Sequence, residues 1–382
     1  MRKSCILVII VFTIFILTSC WNYREVDRMR FVAGVAIDYD EVEDEYIVTS
    51  EVVRLIDEGQ NFGSTLFQSR GKTVFDAVRD IIMKNGRKLY WSHAKAIIIS
   101  RDISNERLIT VLDYTSRDAE FRDDIWILVS QEKAASEIFE ETFKDRREIT
   151  SFHIDNGFKN EGSISTYHGM PAWRFVEALY DKGMEPTMPI VRVGDKGGKK
   201  VPRIGGQAIF KQGKMIGSLD ETEAKIYLWV INKLKGGLFT VKTEIARETA
   251  EVTMELFNNK TEITPKKEGD KIFIEIDIES DFGIGEIAGE AKVIEKQARE
   301  VLRKDIEEDI KKQVQDLVSK VQKEYESDIF DFCGKIKDKM PEEWKKIEPY
   351  WDEVFKDLKI EVKVKANIRG SALTSEQVEV VE

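Results

Sequence analysis

Cysteine is scarce in this chain: three in 382 residues, at positions 5, 20 and 333. That excludes a disulfide framework. Histidine is equally rare, at three, which starves any metal site built on several His and Cys. An excess of positive charge is also missing. Fifty-nine Lys and Arg stand against 70 Asp and Glu, a formal −11. A generic nucleic-acid binder needs a basic stripe to displace counterions, so no nucleic-acid partner is expected. Simple electrostatic adsorption to an anionic membrane is excluded on the same ground. What the chain does have is 42% hydrophobic residues and enough length for two or three domains, so global disorder is ruled out.

The longest apolar run, residues 6–17, is interrupted only by Thr13. Twelve residues fall well short of the roughly twenty that span a bilayer as a helix. Behind Arg2 and Lys3, the run has the length of a signal-peptide core. It ends in Leu17-Thr18-Ser19-Cys20, which resembles a bacterial lipobox. That resemblance implies cleavage before Cys20, diacylglyceryl on its sulfur and anchoring to a membrane by lipid. Loss of residues 1–19 removes two positive charges and no negative ones, leaving −13 and Cys333 as the remaining free thiol. Residues 21–30 form a tether without Gly, Ser or Pro, at most about 35 Å long. Trp21 and Tyr23 suit a headgroup interface. The folded body is therefore expected close to the bilayer.

Residues 31–195 read as a mixed, α/β-like N-terminal domain. Residues 31–37 and 46–53 are expected strands, joined by the acidic turn Asp38–Glu45. Residues 73–85 form an amphipathic helix that buries Val74, Ala77, Val78, Ile81 and Ile82. Further strands are expected at 96–99 and 125–129, and helices at 104–114 and 131–143. The polar stretch 149–170 reads as a long loop. Residues 203–249 suggest a small middle domain: two strands joined at Gln212-Gly213, then a helix opened by the capping-box pair Asp220 and Glu223. Residues 250–382 form the C-terminal domain. There Ile272, Ile274, Ile276 and Ile278 alternate with Glu275, Asp277 and Glu279, the pattern of an antiparallel sheet with one wet face. A long helix follows, with Ala298, Leu302, Ile306, Ile310, Val314 and Leu317 in its stripe, then a helix near 341–356 and a strand at 360–368. The fold class is α+β in three domains.

No catalytic constellation emerges. Ser-x-x-Lys occurs at Ser69, Ser92 and Ser130 without the companion motifs of serine acyl-enzymes. Asp281-Phe282-Gly283 lacks the other kinase loops. His93, His153 and His168 lie far apart. The acidic turn Asp38–Glu45 offers oxygen ligands but lacks the central glycine of a calcium loop, so a solvated hairpin tip is favoured over a weak Ca²⁺ site. No enzyme activity, cofactor or metal is expected.

Several motifs in order carry a resemblance to a known family. They are Cys20-Trp21-Asn22-Tyr23-Arg24-Glu25, then Ser92-His93-Ala94-Lys95, then Arg117-Asp118-Ala119-Glu120-Phe121-Arg122. Gly206-Gln207-Ala208-Ile209-Phe210, Glu221-Thr222-Glu223, Asp328-Ile329-Phe330 and Trp351-Asp352-Glu353-Val354-Phe355 continue the series. Asp331 and Cys333 stand where Gly is common. The chain resembles the Ger(x)C family, the lipoprotein C subunits of nutrient germinant receptors. The resemblance implies a non-enzymatic subunit on the outer face of the inner spore membrane. It would work with integral-membrane A and B subunits in sensing a small nutrient germinant such as an amino acid or sugar. Candidate interaction residues are Trp21, Glu25, Arg117, Asp118, Glu120, Arg122 and Glu221, beside the lipidation site Cys20. For the 117–122 group, an ion-pair network that fixes the first domain stands as the plainer alternative. Trp229 and Trp351 belong to predicted apolar helix faces, hence to cores. A solute-binding lipoprotein of a transporter is the second reading; it needs two similar α/β lobes. A cell-envelope hydrolase is the third.

Overall fold

The computed structural model describes residues 29–56, 61–144, 147–245, 248–289 and 296–369. Among these the strands divide between two sheets. The first runs β3 (Asn61–Gly71), β2 (Glu45–Ile56), β1 (Met29–Asp40), β5 (Ala96–Ile99), β6 (Trp126–Ser130), β7 (Thr187–Lys196), β8 (Lys199–Lys211) and β9 (Lys214–Leu219), with β4 (Lys88–Tyr90) attached to the start of β1. β1, β5, β6 and β7 run parallel, and the hairpins at either side are antiparallel. β5 is wholly apolar because both of its faces are covered, as parallel strands require. Val35, Ile37, Ile97, Ile99, Ile127 and Val129 point to one core, under helices α1 (Val74–Asn85), α2 (Leu108–Arg117) and α4 (Ala172–Tyr180). Ala36, Ile98 and Leu128 point to the other, under α3 (Thr150–Lys159) and the short turn Glu137–Glu141.

The expected long loop at 149–170 is corrected by α3 and a further helical turn, Glu161–Ile164. Its start lacks a local cap. Instead Glu51, from the middle of β2, accepts from the backbone N–H groups of Thr150 (2.8 Å) and Ser151 (2.9 Å) and from the Ser151 hydroxyl. These are the donors a helix N-terminus leaves unpaired. Likewise the expected helix 131–143 shrinks to Glu137–Glu141. The N–H groups of Ala135 and Ser136, ahead of it, go to the buried carboxylate of Asp38. Burial pushes the Asp38 pKa up to about 6 against those hydrogen bonds.

The second sheet has the order β10 (Leu238–Ile245), β11 (Glu248–Glu268), β12 (Lys271–Gly289), β13 (Lys359–Arg369). Helix α6 (Lys296–Lys320) lies across one face, burying Leu302, Ile306, Ile310 and Val314 against Ile274, Ile276 and Ile278. The other face carries the charged residues of the alternation, with Glu279 exposed but Glu275 buried between Lys266 and Lys363, and β13 corrects a further detail. It pairs parallel to β12, because the helices between them carry the chain back to the same end before it re-enters the sheet. The helix expected near 341–356 breaks at Glu348–Tyr350 into Pro341–Ile347 and Trp351–Asp357.

Among the described residues, 203–249, expected as a middle domain, have no sheet of their own. β8 and β9 extend the first sheet, while β10 opens the second. Between them, α5 (Glu221–Val230) carries the predicted capping box and buries Leu228, Trp229 and Val230 in the second core. Ile209 of β8 and Leu219 of β9 reach that same core. The reason is that α5 alone cannot bury its hydrophobic residues and borrows a partner on either side. Trp229 is buried as expected, its Nε1 donating to Asn259 Oδ1 (2.8 Å) and Ser280 Oγ (3.2 Å). Trp351 is buried too.

Candidate functional site

Four segments meet at the end of the first sheet where the chain enters it. β4 pairs with the first residues of β1, Met29 opposite Lys88 and Phe31 opposite Tyr90. The link from β4 to β5 carries Ser92-His93-Ala94-Lys95, and α2 ends close by. Helix α2 terminates at Arg117 because Asp118 turns extended, its N–H still bound to the Tyr114 carbonyl (3.2 Å). The Asp118 side chain then folds the following turn by accepting from the N–H of Glu120 (3.0 Å).

The turn is pinned to the 92–95 link. Ser92 Oγ donates to the Glu120 carbonyl (3.1 Å), and the Glu120 carboxylate pairs with Lys88. Phe121 stacks on buried Trp91, ring centroids 4.8 Å apart. His93 sits between Phe31 and Tyr90. Arg122 grips Asp124 with two parallel bonds of 2.7 Å, and Arg117 holds Asp113 at 2.8 Å. So the structure brings Arg117, Asp118, Glu120 and Arg122 together, with the 92–95 motif. Asp118 and Glu120 shape the turn through their bonds to each other, to Lys88 and to Ser92, whereas Arg117 and Arg122 bond outside the group, to Asp113 and Asp124, and stay largely exposed.

Beside this turn, α1 and α2 leave a cleft of about 520 Å³, lined by Phe75, Arg79, Asp113, Tyr114, Arg117 and Asp118. The Arg79 guanidinium lies 4.8 Å from the Phe75 ring centre. Burial, with Asp118 as a lesser cause, pushes the Tyr114 hydroxyl above its ordinary pKa, so it stays a neutral donor. The Arg117 hydrogen bond holds Asp113 below the usual carboxylate range. Phe75, Arg79 and Tyr114 were not singled out from the sequence. The signal was present: Phe75, Arg79 and Met83 recur four residues apart on the face opposite the buried stripe of α1.

Glu221 lies elsewhere. It opens α5 and accepts from Arg192 (2.8 Å) and Arg203 (2.7 Å), residues paired across β7 and β8. Burial raises its pKa, but the Arg203 and Arg192 hydrogen bonds outweigh that and leave it lowered. This carboxylate clamps α5 to the sheet. Cys20, Trp21 and Glu25, with the signal peptide and most of the tether, lie outside the described residues.

The serines of the Ser-x-x-Lys triplets have structural work. Ser69 bonds the Ala77 carbonyl, Ser92 the Glu120 carbonyl, and Ser130 Oγ accepts from the N–H of Glu132. The acidic turn is likewise committed. Asp38 faces inward, and Asp40 pairs with Arg70 and accepts from the N–H groups of Val42 and Glu43. Its carboxylates shape the hairpin rather than converge on a calcium site, and no cluster of three His, Cys, Asp or Glu suited to a metal occurs among the described residues.

Comparison with known proteins matches two family models along the chain. The spore germination protein N-terminal domain covers residues 22–193, and the spore germination B3/GerAC-like C-terminal domain covers 205–372. Spore germination protein KC of Bacillus subtilis is 22% identical over 97% of both chains. Spore germination protein B3 of the same organism is 23% identical over 91% of this chain and 93% of its own. The crystal structure of the GerBC protein superposes with a TM-score of 0.54 at 19% identity, covering 88% of this chain and 96% of that one.

Proposed function

Proceeding from the premise that the chain belongs to the GerAC-like family of spore germination proteins, we propose that it serves in germination as the lipid-anchored C subunit of a nutrient germinant receptor. Cys20 carries the lipid, and the protein sits on the outer face of the inner spore membrane. Its contribution is recognition rather than catalysis: it docks on the integral-membrane A and B subunits. A small nutrient germinant, an amino acid or sugar, is sensed by the assembly.

The observation that carries this reading is positional. The Ser92–Lys95 and Arg117–Arg122 segments are bonded to each other beside Met29, where the tether joins the body. The tether from Cys20 spans at most about 30 Å, so this cluster and its neighbouring cleft would face the membrane. Exposed Arg beside aromatic side chains suits a protein partner. The transporter reading fares worse, because it requires two similar α/β lobes, and the second unit is a four-stranded sheet whose core is shared by α6, α5 and the helices that follow residue 331.

The test is affinity capture of the lipidated protein from detergent-solubilised spore membranes. Integral-membrane receptor subunits should co-purify from the native protein and be depleted with an R117E/R122E variant. Recovery of a solute transporter's membrane components instead would favour the alternative.

A further inference from the structure

The walls of the cleft between α1 and α2 carry charges that the fold does not fully use. Arg117 and Asp113 are joined at 2.8 Å, and Lys88 pairs with Glu120 in the adjoining corner. Arg79 is different. Its guanidinium lies over the Phe75 ring and has no carboxylate partner among the described residues. Asp118 gives one oxygen to the Glu120 N–H (3.0 Å) and the other to a long 3.5 Å bond from the Tyr114 hydroxyl. A carboxylate has about four acceptor sites, so capacity remains.

Between these two charges the surface is apolar. The Phe75 and Tyr114 rings stand 6.0 Å apart, and Val74 and Ala119 extend the lining. A smaller hollow of about 70 Å³ shares Phe75, Arg79 and Asp118 with the cleft and is backed by the buried Val78, Leu89 and Trp91. Arg79 and Asp118 border both spaces, so one small molecule can reach the two of them. The cleft's volume of about 520 Å³ falls within the ~300–1,000 Å³ of small-molecule sites.

The charges select the ligand. A guanidinium takes a carboxylate through two parallel N–H donors, while the open acceptor sites of Asp118 suit an ammonium. A simple anion would satisfy Arg79 but meet the negative charge of Asp118. A simple cation would satisfy Asp118 but be repelled by Arg79. A molecule carrying both charges on one carbon answers both walls, and an apolar side chain on that carbon has the rings and the hollow to cover it.

We propose that the α1–α2 cleft binds a free α-amino acid with a branched apolar side chain, its carboxylate on Arg79, its ammonium on Asp118 and its side chain between Phe75 and Tyr114 at the smaller hollow. This goes beyond the receptor reading: the cleft alone carries it, whatever membrane partners the chain has. The occupant would touch the residues that shape the neighbouring surface, because Asp118 folds the turn at Glu120 and Tyr114 meets Phe121 with ring centroids 5.8 Å apart.

The experiment is equilibrium dialysis of the lipidated full chain in detergent against radiolabelled L-leucine. The competitors are 4-methylpentanoate, which lacks the ammonium, and 3-methylbutylamine, which lacks the carboxylate. Leucine should bind saturably at one site per chain, and each analogue should compete at least about tenfold more weakly, as loss of a charged hydrogen bond requires. Arg79→Gln should weaken leucine by about tenfold or more with an unchanged melting temperature, since Arg79 holds no ion pair in the fold. Arg122→Gln, outside the cleft, should bind as the native protein does. Absence of saturable binding at millimolar leucine, equal competition by 4-methylpentanoate, or native affinity in Arg79→Gln overturns the proposal. Each of those results leaves the capture of membrane subunits untouched, so the two readings fall separately.

Discussion

Ser92 and Glu120, 28 residues apart, are joined by a 3.1 Å bond from the serine hydroxyl to the glutamate carbonyl, and Lys88 closes the same corner on the glutamate side chain. This corner makes one surface of two motifs that are separate in sequence. It should tolerate change in the folding sense. Glu120→Gln removes a partly exposed ion pair, a loss of no more than about 1 kcal/mol. Capture of membrane partners should fall while the melting temperature barely moves, and calorimetry beside the affinity capture reads both.

Glu221 predicts the opposite division. Because its carboxylate is spent on Arg192 and Arg203, Glu221→Ala should lower stability by about 1 kcal/mol and leave partner capture unchanged. Urea titration and the same pull-down decide it. Loss of partners at full stability would move Glu221 to the docking surface.

Glu51→Ala strips the N-terminus of α3 of its acceptor and leaves two buried N–H groups unpaired. A destabilisation of about 2–4 kcal/mol is expected, counting the loss of hydrogen bonds to a carboxylate. Equilibrium unfolding would show it, and hydrogen exchange should localise the loosening to residues 150–159.

Asp328 gives a pH signature. It is buried and accepts from the N–H groups of Phe330, Phe332 and Cys333, and burial pushes its pKa up to about 7. A carboxyl whose folded pKa is raised binds its proton more tightly when folded. Its contribution is thus complete below about pH 4 and is lost as the pH climbs through 7. Asp38, raised to about 6, acts in the same direction. The stability difference between wild type and Asp328→Asn should therefore shift in the mutant's favour from pH 4 to pH 8. A pH-independent difference would contradict the assignment.

Cys20→Ala should release the protein from the membrane fraction without changing its fold, since the described body starts nine residues later. Fractionation of cells making the variant, with circular dichroism of the soluble product, checks both halves.

Local chemistry was legible where it is self-contained. The Asp220–Glu223 box, the Gly86 stop of α1 and the isoleucine alternation of β12 each need only near neighbours, and each is present. What failed was decided at a distance. Nothing in residues 149–160 announces a helix start, because its cap comes from Glu51 a hundred residues earlier. β3 escaped notice because its Gly, Ser and Gln residues match neither strand template; pairing with β2 supplies what its side chains do not. The family's preference for Gly near 331 proved informative, since Asp331 adopts φ 61°, the left-handed conformation that glycine enters without steric cost. At the candidate site, the charged turn was readable, but the cleft required knowing that α1 and α2 are neighbours.

The junction between the sheets has a practical corollary for anyone dissecting the molecule. Gly183 fits against Trp344 and Trp351 with no room for a side chain, Ser327 bonds the Phe210 carbonyl, and Lys211 bonds that of Glu326. Severing the polypeptide anywhere near α5 would strip oily surface from both fragments at once. Neither piece would survive as a faithful miniature, and a tug at the tether would be handed on to the far sheet instead of dying out at a hinge.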